Sequence, residues 1–211
     1  YVDGAVVHWY ESTYKVFEDV FDRVHERYPE KMIIHTEGCI DDLGNDAPDG
    51  VTDPVGFKEK NWFNNDVFWW NDNATDWAYS ATWEGVDPDD HPIYTPVHRY
   101  ARNIIVSLNH WLSAWIDWNC VLDQRGGPNH VGNYCGAPIM IDTRAGEVYY
   151  TPVYYILSQL SRSIRPGDKA VQAEASLDGS VQDCLYASAS INNRGLLSVQ
   201  VLNTCADAID Y

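Results

Sequence analysis

Glu37 closes the apolar stretch Met32-Ile33-Ile34-His35-Thr36 and is followed by Gly38-Cys39. A carboxylate at the end of a buried strand is held at a fixed depth. Displacement at the anomeric carbon of a sugar needs that rigidity, because the attacking oxygen must approach one face only. Two other apolar runs end in groups suited to the same task, His8-Trp9-Tyr10 and Trp118-Asn119. Aromatic rings give sugars a flat apolar platform, and imidazole, phenol and amide groups hydrogen-bond hydroxyls. A strand-end Glu taken alone serves equally well as a salt-bridge partner, so its surroundings have to decide.

The elements that would position these groups alternate. Residues 4–10 form a short, nearly continuous apolar run, the pattern of a strand covered on both faces. A helix is expected at about 12–28, with Tyr14, Phe17, Phe21, Val24 and Tyr28 on one face and Pro29 as its stop. The strand ending at Glu37 comes next. Thr95-Pro96 starts a second helix, whose buried face carries Val97, Tyr100, Ile104, Leu108 and Trp111 or Leu112. Trp115-Ile116-Asp117-Trp118-Asn119 reads as a third strand, in which Asp117 points away from Trp118 and is assigned a structural hydrogen bond. Thr151-Pro152 starts a third helix that runs to Pro166-Gly167. Short alternating segments near 170–176, 183–191 and 196–203, separated by Asp178-Gly179 and Asn192-Asn193-Arg194-Gly195, predict a small antiparallel β unit.

Buried strands alternating with helices indicate a parallel α/β architecture. In a (β/α)8 barrel the reactive groups gather at the C-terminal strand ends, where His8, Glu37 and Trp118 fall. A doubly wound sheet is the rival, but no glycine-rich phosphate loop follows any of the strands.

Residues 41–94 break this rhythm. Between 40 and 92 thirteen acidic residues face two lysines, and five of the nine tryptophans lie here: Trp62, Trp69, Trp70, Trp77 and Trp83. Simple disorder is poor in aromatics, so the segment reads as extra sugar subsites or a lid, or as a satellite core that holds a long loop together. Asn73-Ala74-Thr75 is a glycosylation sequon, meaningful only in a eukaryotic secretory pathway.

Charge and cysteines set the outer bounds. A formal charge of -17 opposes binding to nucleic acid and favours a neutral partner. No apolar run approaches the ~18 residues of a membrane helix. The five cysteines, Cys39, Cys120, Cys135, Cys184 and Cys205, show no zinc-ribbon or redox spacing. Buried free thiols acting as small apolar groups are the expectation, with one disulfide as the alternative. The histidines show no metal-ligand spacing, and no metal or other cofactor is expected.

Four blocks stand in order: Tyr1-Val2-Asp3-Gly4-Ala5-Val6-Val7-His8-Trp9-Tyr10, His35-Thr36-Glu37-Gly38-Cys39, Trp115-Ile116-Asp117-Trp118-Asn119 and Gly126-Gly127-Pro128-Asn129. Together they resemble the second half of the glucosylceramidase-like enzymes of glycoside hydrolase family 30, over about residues 1–40 and 95–205. The resemblance implies the last three strand–helix units of a (β/α)8 barrel over 1–166, followed by part of an antiparallel β-sandwich over 167–211. It makes Glu37 the nucleophile of a retaining β-glycosidase, puts His8 and Tyr10 around it, and sets Trp118 against the sugar in the first subsite. Asn133 matches a substrate-contacting asparagine of the entrance loop, where His130 replaces an aromatic. Trp69 and Trp70 are candidates for extra subsites.

In that family the acid/base is the Glu of an Asn-Glu pair, and this sequence contains no such pair. The expectation is therefore a fragment, inactive alone, of an enzyme that cleaves β-glucosides (glucosylceramide or a β-1,6-glucan), with a secreted, periplasmic or lysosome-like location. A non-catalytic carbohydrate-binding protein using the tryptophan-rich face is the alternative.

Overall fold

A computed structural model describes residues 2–9, 15–38, 95–123, 127–128, 137–177, 180–181, 184–205 and 208–209. Three strands, β1 (Gly4–Val7), β2 (Met32–Gly38) and β3 (Leu112–Asp117), form a parallel sheet in the order β1-β2-β3. Helix α1 (Glu18–Arg27) connects the first two, and α2 (Thr95–Asn109) precedes the third. Spatial order follows chain order, as in one sector of a βα barrel, and all three C-terminal ends lie along one edge.

The helices form for local reasons. In α1, Glu18 and Asp19 occupy the first turn and His25 and Arg27 the last, matching the signs of the helix dipole. It starts at Glu18, later than the periodicity predicts, because Phe17 has non-helical main-chain angles. Two residues of α1 carry its packing onto the sheet. Phe21 is buried with Ile33 of β2 and Leu112 of β3, and Val24 packs beside them. His110 holds Asp22 of α1 at 3.0 Å, which pins the helix to the turn before β3.

That turn corrects the expected end of α2. The helix stops at Asn109 and Trp111 adopts a φ of 70°, so Trp111 is exposed while Leu112 is buried as the first residue of β3. Neither belongs to the helix face. The third strand accordingly begins before the expected Trp115 and ends at Asp117, leaving Trp118 and Asn119 beyond it.

Downstream, β4 (Val121–Asp123), β5 (Ile139–Asp142) and β6 (Glu147–Tyr150) form a mixed sheet. Helix α3 (Pro152–Ser163) follows; its N-cap Thr151 accepts a bond from the Tyr154 N–H, and Pro152 takes the first turn, as expected. Val153 and Leu160 of α3 bury against Val97, Tyr100, Ile104 and Ile105 of α2.

The expected antiparallel unit is present as β7 (Lys169–Val171), β10 (Leu185–Ile191) and β11 (Leu197–Asn203), with a two-stranded ribbon of β8 (Ser176–Leu177) and β9 (Ser180–Val181). The Asn192 side chain accepts from the N–H groups of Arg194 and Leu196, and Gly195 supplies a φ of 77°, which closes the β10–β11 hairpin. Tyr186 and Leu202 seat this sheet on the α2–α3 core, and Gln200 donates to the Ser163 hydroxyl at 3.1 Å.

The cysteines depart from the expectation of buried free thiols. Cys184 and Cys205 form a disulfide that ties the start of β10 to the end of β11, and Cys120 is free but exposed. Their chain ends meet because the hairpin pairs Leu185 with Asn203. Cys39 and Cys135 lie outside the described residues. Closing a loop with a sequence separation of 21 restricts the unfolded chain by about 3 kcal/mol. Reduction, or Cys184→Ser with Cys205→Ser, should lower the urea unfolding free energy by roughly 2–4 kcal/mol. An unchanged unfolding curve would contradict this.

Candidate active site

Pairing between β2 and β3 is irregular where the chemistry is expected. His35 pairs with Trp115 and Gly38 with Asp117, so three steps along β2 face two along β3. The extra residue forms a bulge, a feature that bends a strand and re-aims a side chain. Glu37 lies within it at a φ of 60°, in the left-handed region. For a residue with a Cβ this conformation costs about 1–3 kcal/mol and persists only where the surroundings impose it.

The surroundings are visible at Gly38. A methyl group there would meet Trp115 Nε1 at 2.4 Å, so only glycine lets the indole lie against the main chain. One face of the same indole stacks on the His35 ring, with centroids 4.0 Å apart. Its N–H donates to the Tyr100 hydroxyl at 2.9 Å, and that hydroxyl donates to Asp117 Oδ2 at 2.5 Å. The Trp118 N–H donates to the Gly38 carbonyl at 2.8 Å, which closes the bulge from the far side.

Glu37 and His8 come together. His8, just beyond β1, holds Nδ1 3.2 Å from Glu37 Oε2, and both side chains remain partly open to solvent. Trp118 is 41% exposed, one residue past the end of β3. Asp117 turns to α2 instead, consistent with the structural hydrogen bond read from alternation. Tyr10, His130, Asn133, Trp69 and Trp70 lie outside the described residues. Among the described residues no group of three or more His, Cys, Asp or Glu could hold a metal.

Two titratable groups beside Glu37 are shifted in opposite directions. Burial, followed by the charge of His8, pushes His35 down to about 4, against a main-chain hydrogen bond at Thr36. His35 is therefore neutral at neutral pH. Burial pushes Asp117 up to about 6, against hydrogen bonds from Tyr100 and from the main chain at Asn119 and Trp118. The sequence reading passed over His35, Trp115 and Tyr100 as part of the site. The available signals were a histidine inside an apolar strand and a glycine directly after Glu37.

A cleft of about 800 Å³ bordered by His25, Asn109, Trp111 and Ser113 opens at the other end of β3. It lies between α1, the start of β3 and strands β7 and β10, and Glu37 is not in its lining.

The opposed shifts give a stability signature. The contribution of Asp117 is complete below pH 3.8 and is lost as pH rises through about 6. That of His35 is present above pH 6.5 and is lost as pH falls through about 4. Asp117→Asn removes the first alone, so the urea midpoint of the variant should gain on that of the wild type as pH rises from 4 to 6. A difference that does not change with pH would show that Asp117 is not shifted.

Comparison with known proteins places this geometry. Residues 89–164 match the model of the glycosyl hydrolase family 30 TIM-barrel domain. The chain is 26% identical to the lysosomal acid glucosylceramidase of Mus musculus over 177 residues, covering 83% of this chain and 26% of that protein. It is 30% identical to a Caenorhabditis elegans protein named "Putative glucosylceramidase 3" over 173 residues, covering 81% and 25%. The chain thus spans about a quarter of the length of the curated relatives it matches. The crystal structure of SrfJ from Salmonella typhimurium superposes with a TM-score of 0.61 at 21% identity, covering 95% of this chain and 34% of that one, a likeness of fold. A matched barrel segment and glucosylceramidase relatives aligned along most of the chain support its membership of glycoside hydrolase family 30, on the glucosylceramidase-like side.

Proposed function

We propose that this chain carries the nucleophile half of a retaining β-glycosidase. The observation that carries the reading is Glu37, projecting from a bulge at the C-terminal edge of a parallel sheet with His8 Nδ1 at 3.2 Å. In this reading a Glu37 carboxylate oxygen attacks the anomeric carbon from the face opposite the leaving group. The leaving oxygen takes a proton from an acid/base carboxyl, and a covalent glycosyl-enzyme forms. Water then attacks the same carbon, gives its proton back to the acid/base, and releases the sugar with net retention.

His8 holds one oxygen of Glu37 and so orients the other. In this reading Tyr10 orients or hydrogen-bonds the nucleophile, Trp118 walls the first subsite, and Asn133 and His130 belong to the entrance loop. The acid/base, which must sit about 5–5.5 Å from the nucleophile, is supplied by sequence outside these 211 residues. So are the strands that close the barrel, of which residues 1–166 form the last three units. Residues 167–211 belong to a β-sandwich, and the chain alone is inactive.

The substrate is a β-glucoside, glucosylceramide or a β-1,6-glucan, ahead of β-xylosides and β-fucosides. The glucosylceramidase names of the relatives favour the first. Residues 41–94, which follow the Glu37 strand in the chain, would supply extra sugar subsites or a lid, with Trp69 and Trp70 as candidate platforms, against the alternative of a satellite core. A disulfide favours an oxidising setting, secreted or lysosome-like, in keeping with the lysosomal relative.

The test uses an enzyme extended upstream through all eight strands. Glu37→Ala should lose turnover of aryl β-glucosides by several orders of magnitude. Azide should restore it, giving the α-glucosyl azide, because the small anion enters from the vacated side. A β-azide product, or activity near that of the wild type, contradicts the assignment. Replacing Trp69 and Trp70 with Ala should slow polymeric or lipid-linked substrates more than aryl glucosides; equal losses would make the insertion a packing element.

A further inference from the structure

We infer that Tyr100, on the helix that follows the Glu37 strand, is a positioning residue for Glu37: its phenol oxygen joins the Trp115 indole to the Asp117 carboxylate and so fixes the bulge. The inference rests on the reading of Glu37 as nucleophile and adds the device that aims it.

Tyr100 is 1% exposed, and its hydroxyl is used in both directions. It accepts from Trp115 at 2.9 Å and donates to Asp117 at 2.5 Å, the two roles one hydroxyl can fill together. Its ring meets the Trp115 ring edge-on, with centroids 5.4 Å apart. Trp115 and Asp117 are the β3 residues that pair with His35 and Gly38, the two β2 residues flanking the bulge. One phenol oxygen therefore holds both residues on the strand facing Glu37.

The consequence follows from the contacts of the indole. Trp115 covers His35 with its face and Gly38 with its edge, so its rotation is coupled to the main chain on either side of Glu37. Asp117 precedes Trp118, whose N–H binds the Gly38 carbonyl. Losing the phenol oxygen leaves a half-buried indole N–H and a half-buried carboxylate each short of a partner. The left-handed φ of Glu37 then loses part of its support, and the residue relaxes toward the ordinary region, carrying the carboxylate away from the anomeric carbon.

Tyr100→Phe keeps the ring packing and removes one atom. In the extended enzyme, kcat on an aryl β-glucoside should fall roughly 10- to 100-fold, the scale of an ångström of misplacement, with KM little changed. Asp117→Asn keeps an acceptor for Tyr100 but cannot ionise. The groups acting on Asp117 are Tyr100 of α2 and the main chain at Asn119 and Trp118, so the variant should erase an acid limb near pH 6 from the wild-type kcat profile. The Trp115 indole N–H resonance should also move in Tyr100→Phe, independently of any activity.

A lowered melting temperature with unchanged kcat would overturn the inference and leave Tyr100 a packing residue. If Tyr100→Phe does not fold, Asp117→Asn decides: an acid limb that persists in it also overturns the inference. Absence of Glu37-dependent turnover in the wild type, with the indole resonance shifted as expected, would mean instead that the glycosidase reading had failed.

Discussion

At Gly38 the main chain of β2 runs against the Trp115 indole with no room for a single added carbon. This close approach sets the geometry of everything around Glu37. It seats the indole where its N–H reaches Tyr100, and it draws Gly38 level with Asp117 although the chain upstream is one residue out of step. The mismatch is absorbed by the bulge, and the residue carried in the bulge is the carboxylate.

Trp115 also joins the two halves of the interior. It packs against the cluster of Phe21, Ile33 and Leu112 under the sheet, and through Tyr100 against the cluster between α2 and α3. The second cluster in turn seats Tyr186 and Leu202 of the antiparallel sheet. A strained residue at a strand end is thus backed by both hydrophobic clusters through one side chain. A loop would not hold Glu37 so firmly.

Much of this was legible in the residues. Continuous apolar runs separated by amphipathic helices gave the βαβαβ order, because buried parallel strands lack the alternation of half-exposed ones. The strand-end position of Glu37 followed from that order, whereas the placing of His8 beside it came only from the family resemblance. The bulge did not, since register depends on tertiary contacts that no local period reports. Tyr100 was readable as a buried helix residue, yet the role of its hydroxyl depends on where Trp115 and Asp117 sit across the core. The β5–β6 hairpin was missed although Asp142 accepts from the N–H groups of Arg144 and Ala145 and Gly146 takes a φ of 73°, the turn chemistry that Asp and Gly at that spacing encode. The disulfide was left open because pairing needs Cα atoms brought together, here to 4.8 Å by a hairpin whose register fixes them.

The central claim is that Glu37 forms a covalent bond to the sugar. The direct measurement is intact mass followed by peptide mapping of the extended enzyme after incubation with a 2-deoxy-2-fluoro β-glucosyl inactivator. The 2-fluoro group slows release of the glycosyl-enzyme, so the intermediate accumulates. The account predicts one added fluoroglucosyl group per chain, located on the peptide that contains Glu37. A folded enzyme that turns over β-glucosides but carries its label on another carboxylate, or carries none, would contradict it.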